Sequence, residues 1–121
     1  MNTGQTIRTD LRRRRDRYRE RLQTELDRWI PLLKGRGAHL ILLFGSMASG
    51  RAGLFSDADL LVVMPSEKGF LDRTADLHQL LMPRVDLDLV VYTPEEFESI
   101  RGRPFVRRAL REGRVLHEAA G

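Results

Sequence analysis

Leu40-Ile41-Leu42-Leu43-Phe44-Gly45-Ser46, ten intervening residues, and then Asp57-Ala58-Asp59-Leu60-Leu61-Val62-Val63-Met64 form the stretch whose reading decides the fold. Each apolar run is continuous and of strand length, which is the pattern of a strand buried on both faces. Gly45 lets the backbone turn sharply and approach a ligand closely. Ser46 then offers a hydroxyl and an amide N–H at the start of a short helical turn expected over Ser46 to Arg51, a setting suited to phosphate oxygens. Gly-Ser alone is a common loop dipeptide, and the second strand is what raises it. Side chains alternate along a strand, so Asp57 and Asp59 share one face while Ala58 and Leu60 share the other. Two carboxylates on one face repel and lose hydration, a cost that a divalent cation between them removes. Mg²⁺ suits such oxygen ligands and keeps room for waters and substrate phosphates.

Val85-Asp86-Leu87-Asp88-Leu89-Val90-Val91-Tyr92 reads as a third strand with Asp86 and Asp88 on one face. If it neighbours the second strand, one of these acids completes a three-carboxylate cluster able to hold divalent ions for phosphoryl chemistry, with the third carboxylate as general base. Alternating acid and aliphatic residues also describe an ordinary half-exposed edge strand. Asp88 is the better candidate of the two.

Working outward, a helix is expected from about Thr6 to Lys34, stopped at Gly35-Arg36-Gly37 and kinked or shortened by Pro31. Leu11, Tyr18, Leu22, Leu26, Trp29, Ile30 and Leu33 recur at helical spacing and predict one buried stripe. Gly69 to Met82 predicts a second helix, with Phe70, Leu71, Leu77, Leu80 and Leu81 on its apolar side and Pro83 beyond it. Thr93-Pro94-Glu95-Glu96 is a helix start, Thr93 capping, Pro94 at the first position and Glu96 closing a capping box. A last helix over Phe105 to Glu112 leads through Gly113 to a short segment, Arg114 to His117, with some strand character. The order predicts an α/β (α+β) layer domain: a small mixed sheet flanked by helices. One domain over residues 1–121 is expected, with a basic amphipathic helix at 1–36, a catalytic core at 38–98 and a C-terminal helix and tail at 104–121.

The bulk properties bound the function. The chain has 121 residues, 41% hydrophobic and 31% charged, and no cysteine. That excludes disulfides and thiolate metal sites, and no run approaches the roughly 20 apolar residues that span a bilayer. With no secretory signal visible at Met1 to Asp10, a cytoplasmic protein is expected. The formal charge of +4 is unevenly spread: seven arginines lie between Arg12 and Arg21 against two acids, Asp16 and Glu20. Such a run can hold a phosphate backbone or an acidic partner, although a solvated helix face is the simpler reading. His39, His78 and His117 have no metal-ligand spacing, and Ser49 and Ser56 read as turn caps. No Ser-His-Asp or Cys-His arrangement suggests a covalent nucleophile.

Gly45-Ser46, ten residues, Asp57-Ala58-Asp59, and a later Asp88 in a strand followed by Thr93-Pro94-Glu95-Glu96-Phe97 together resemble the minimal nucleotidyltransferases of the DNA polymerase beta superfamily. The resemblance covers Leu40 to Glu98 in pattern. It implies Asp57, Asp59 and Asp88 as the catalytic, Mg²⁺-binding carboxylates, Asp88 rather than Asp86, and Gly45 and Ser46 on the β- and γ-phosphates of a nucleotide. The implied reaction transfers a nucleoside monophosphate, usually AMP from ATP, to a hydroxyl with release of pyrophosphate. Where such proteins often carry a basic residue after Gly-Ser, this chain has Met47, and Arg51 is the nearest cation for the triphosphate.

Small chains of this kind resemble the antitoxin halves of toxin-antitoxin pairs whose partner is an all-helical ribonuclease of the HEPN type. The resemblance implies neutralisation by binding, by adenylylating a partner tyrosine, or both. The acceptor would be a hydroxyl on a protein or RNA supplied by another molecule, and self-association is open. Two other readings stand beside it: a catalytically weak or inactive binding module that masks a ribonuclease, and a basic nucleic-acid-binding protein using the first helix.

Overall fold

The computed structural model describes residues 3–45 and 58–119, with only the backbone of residues 3–8. Its elements run α1 (Thr3–Gly35), β1 (Leu40–Phe44), β2 (Ala58–Val63), α2 (Phe70–Leu81), β3 (Leu87–Tyr92), α3 (Pro94–Ile100), α4 (Pro104–Glu112) and β4 (Arg114–Glu118). The four strands form one sheet in the order β3-β2-β1-β4. β1 runs antiparallel to β2 and to β4, whereas β2 and β3 are parallel and joined by α2. The sheet is therefore mixed, as expected. The C-terminal segment is a full edge strand, with an irregularity in its register opposite Ile41 and Leu42. No helix among the described residues is long and apolar enough to cross a membrane.

Strand alternation divides the apolar side chains between two layers. Ile41, Leu43, Leu60, Val62 and Val91 face α1 and α2, where they pack with Leu26, Trp29, Leu33, Leu77 and Leu81. Leu42, Leu61 and Val63 face the other way and pack with Phe97 of α3 and with Val106 and Ala109 of α4. Two-sided burial is why β1 and β2 read as unbroken apolar runs rather than as alternating ones.

α1 extends through Pro31 to Gly35, close to the expected end at Lys34, and departs from expectation in its burial. Pro31 lies inside the helix without ending it. Pro31 and Asp27, whose carbonyl loses its donor, are both exposed, so water can satisfy the missing bond. The predicted apolar stripe is buried only from Leu22 onward: Leu22, Leu26, Trp29 and Leu33 are in the core, Tyr18 is half-buried and Leu11 is 45% exposed. Among the described side chains of the N-terminal half, from Thr9 to Arg21, only Tyr18 is not exposed. The helix closes at Gly35, and Gly37 takes the positive φ of 91° needed by the turn into β1.

Two buried charged side chains replace apolar ones on the helix stripes. Glu25, nearly inaccessible, accepts from the Arg28 Nε at 2.8 Å and from the backbone N–H of Arg84 at 2.6 Å. Arg28 then donates to the carbonyls of Leu81 and Met82 at 2.7 and 3.0 Å, and the Trp29 indole N–H reaches the Leu81 carbonyl at 3.2 Å. These bonds satisfy the C-terminal carbonyls of α2 and hold the link into β3. On α2, the predicted apolar Phe70 and Leu71 are 43% and 79% exposed, and Arg73 is the buried residue one turn before Leu77.

Candidate active site

Of the six residues singled out for nucleotide and metal binding, Gly45, Asp59 and Asp88 are described; Ser46, Arg51 and Asp57 lie outside the described residues. The three that are described converge. Asp59 lies between Ala58 and Leu60, whose side chains belong to the α1/α2 layer, so its own side chain takes the opposite face. Asp88 has the same relation to Leu87 and Leu89. Parallel pairing sets Asp59 and Asp88 directly opposite one another in register, so both acids occupy one face of adjacent strands. The Ala58 N–H donates to the Asp86 carbonyl at 2.9 Å, which clamps the entry to β3 beside the start of β2. Register thus puts Asp88, and not Asp86, next to Asp59.

β1 supplies the third side of the site. Phe44 is the antiparallel partner of Asp59 and packs edge-on against Phe105, ring centroids 5.7 Å apart. Gly45 follows immediately with φ 82°, a left-handed conformation that L side chains rarely adopt. A Cβ built on Gly45 would collide with the carboxylate of Asp59. The glycine is therefore required twice, by its backbone and by its neighbour.

Carboxylates carried on one face of adjacent strands are like charges, which disfavour one another's ionised form. A divalent cation converts that repulsion into attraction, and carboxylate oxygens are the ligands Mg²⁺ prefers. The donor chemistry of the pair, and the close packing of Gly45 against Asp59, fit such an ion. Among the described residues no group of three or more His, Cys, Asp or Glu is gathered tightly enough to hold a metal by itself.

Toward the C-terminal end of β3, Arg73 ties together three segments that sequence reasoning kept separate. Its Nε donates to the Val91 carbonyl at 3.0 Å, one Nη donates to the Lys68 carbonyl at 3.2 Å, and the other is bonded to the Glu96 carboxylate. Glu96 is also the reciprocal member of the α3 capping box: Glu96 accepts from the Thr93 N–H at 2.9 Å, and the Thr93 hydroxyl accepts from the Glu96 N–H at 3.2 Å. The Arg73 hydrogen bond, aided by that from the Thr93 backbone, holds the Glu96 carboxyl below its ordinary pKa of 4.5. β3 therefore leaves the site with its C-terminal end and the helix after it locked to α2. The signal in the sequence was a charged residue on an otherwise apolar helical stripe, for Arg73 as for Glu25.

The comparisons agree with this geometry. The model of the nucleotidyltransferase domain family matches residues 33–117, which span β1 to β4 together with the end of α1. A solved structure from Sulfolobus solfataricus, described provisionally as a nucleotidyltransferase, superposes with a TM-score of 0.56 at 18% identity. The match covers 82% of this chain and 85% of that one, a likeness of fold. Among curated proteins none matches. The match of the family model over residues 33–117, most of the chain, places the protein in the nucleotidyltransferase domain family.

Proposed function

We propose that this protein transfers a nucleoside monophosphate, AMP from ATP, to a hydroxyl on a protein or RNA acceptor. The observation that carries the reading is the in-register pairing of Asp59 with Asp88, with Gly45 at φ 82° against Asp59. In this reading Asp57, Asp59 and Asp88 hold Mg²⁺, and Gly45, Ser46 and Arg51 receive the triphosphate. When bound, the ion neutralises the triphosphate and the carboxylates that face it. Gly45 presents backbone without a side chain, so a phosphate can approach where any Cβ would stand in the way. Asp88, exposed where Asp59 is half-buried, is the acid an incoming acceptor can reach. It takes the hydroxyl proton as the acceptor oxygen bonds to the α-phosphorus. The α–β phosphoanhydride bond breaks and pyrophosphate leaves.

The acceptor comes from another molecule, and a helical HEPN-type ribonuclease neutralised by its partner's modification is the assignment we favour. Intact mass measurement of such a partner, after incubation with Mg²⁺ and each NTP in turn, tests the reading. A gain of one nucleoside monophosphate, lost in Asp59→Asn, supports it and identifies base and acceptor together. Neutralisation without any added mass, undiminished by Asp59→Asn, overturns it in favour of masking by binding alone.

A further inference from the structure

We propose that Arg17 and Arg21 of α1, together with Arg84 before β3, form a binding groove for the phosphodiester backbone of a nucleic-acid strand. The proposal is independent of nucleotidyl transfer and starts from the exposed N-terminal half of α1. Fully buried side chains of α1 begin at Leu22, and of those described before it, from Thr9 to Arg21, all but the half-buried Tyr18 are exposed. The exposed side chains gain nothing from burial in the core, the source of most helical stability. Arg13, Arg17 and Arg21 also stack at four-residue spacing, where like charges oppose the helix. A polyanion along this surface compensates for both.

Where the exposed half meets the rest of the domain, Arg17, Glu20, Arg21, Thr24, Glu25 and Arg84 line a groove of about 570 Å³. Glu25 is already committed to Arg28 and to the Arg84 backbone N–H, which leaves Glu20 as the one acid set against three guanidinium groups. Among the described residues Arg17, Arg21 and Arg84 enter no ion pair. Guanidinium forks match phosphate oxygens two at a time, which makes arginine the preferred residue for this role.

The distribution of charge selects phosphate over an acidic protein surface. Arg12, Arg13, Arg14 and Arg15 are consecutive, so at 3.6 residues per turn they point to all sides of the helix. A protein–protein interface is built around an apolar centre depleted in charge, and between Thr9 and Arg21 only Leu11 and Tyr18 could supply one. A helix face so dense in arginine, with Leu11, Tyr18 and the Val85 of the groove as its few apolar neighbours, suits a strand whose charge recurs at every nucleotide.

Fluorescence anisotropy with a labelled RNA oligonucleotide, and a DNA of the same sequence, tests this between about 50 and 200 mM salt. The full chain is expected to bind with log affinity falling linearly in log salt. Arg17→Gln/Arg21→Gln/Arg84→Gln is expected to flatten that slope by about 2, at roughly 0.7 for each phosphate that is no longer neutralised. Arg103→Gln/Arg107→Gln/Arg111→Gln removes the same charge from α4 and its start and is expected to keep the slope. Circular dichroism checks that both variants retain their helix content. Equal loss in the two variants, an unchanged slope in the groove variant, or binding of polyglutamate in preference to both oligonucleotides overturns the proposal. Tighter binding of RNA than DNA, or the reverse, supports it and identifies the strand.

Discussion

Gly45 and Asp59 cannot both keep their places if a Cβ is added to the glycine, because that carbon would fall on the Asp59 carboxylate. The backbone at Gly45 adds its own penalty, since φ 82° costs an L residue about 1–2 kcal/mol. Gly45→Ala is therefore expected to destabilise the fold by at least that amount and to weaken nucleotide binding further by displacing Asp59. Thermal unfolding measures the first effect and titration with a fluorescent ATP analogue the second. An alanine variant with unchanged affinity would show that Gly45 does not border the nucleotide.

Asp59 and Asp88 stand opposite one another in register on adjacent parallel strands, where like charges disfavour one another and a cation favours both. Asp59→Asn and Asp88→Asn are expected to leave the melting temperature without added metal unchanged or slightly raised. Millimolar Mg²⁺ is expected to raise the melting temperature of the wild type and of neither variant, because only a folded, charged pair binds the ion. Transfer of labelled nucleotide should disappear in both variants. A variant that loses both its far-ultraviolet circular dichroism and its activity would point to a structural role instead.

Arg73 is 5% exposed and makes three hydrogen bonds to three different segments. Arg73→Leu keeps the apolar stem but leaves the Val91 and Lys68 carbonyls without this donor. The expected loss is about 2–3 kcal/mol in urea unfolding. Arg73→Lys retains the charge and loses the fork, so it should fall between wild type and Leu.

Glu96 sets an acid limit on that same joint. Its carboxyl is held below 4.5 in the folded protein, chiefly by the Arg73 hydrogen bond. The folded state therefore binds fewer protons than the unfolded chain there, and the contribution to stability is complete above pH 4.5. It is lost as the pH falls through the lowered value. Melting temperatures of the wild type and Glu96→Gln should differ at pH 7 and converge on further acidification below pH 4.5. Parallel curves at all pH values would contradict the assignment.

The two halves of α1 should respond very differently to truncation. Trp29 is fully buried, and Trp29→Ala is expected to cost about 3–5 kcal/mol. Leu11, 45% exposed, should tolerate alanine within about 0.5 kcal/mol. Amide hydrogen exchange should show the same division, with fast exchange before Leu22 and slow exchange around Trp29 and Leu33.

Most of the elements were legible because their signals are local. Thr93-Pro94-Glu95-Glu96 names its own helix start and the capping box forms as written. The apolar runs of β1 and β2, and the apolar–acid alternation that opens β3, state which side chains are buried and which acids share a face. What misled was periodicity at the rim of the packing. Leu11, Phe70 and Leu71 sit at helical spacing, yet all three stay exposed, Phe70 with only its contacts to Tyr92 and Arg73. The extent of α1 was read correctly through Pro31, which does not shorten it: a helix breaker on an exposed face is tolerated where burial of Trp29 and Leu33 holds the helix around it.

By itself the sequence determined the set of strands and helices, the glycine turn and the acids available to a site, since these follow from steric preference and hydrophobic period. Only the tertiary structure decided that β3 lies parallel to β2, and in the register that seats Asp88 beside Asp59. It also decided that Glu25 and Arg73 are buried anchors rather than surface charges. Register and burial are properties of pairs of segments distant in the chain, and no residue carries them alone.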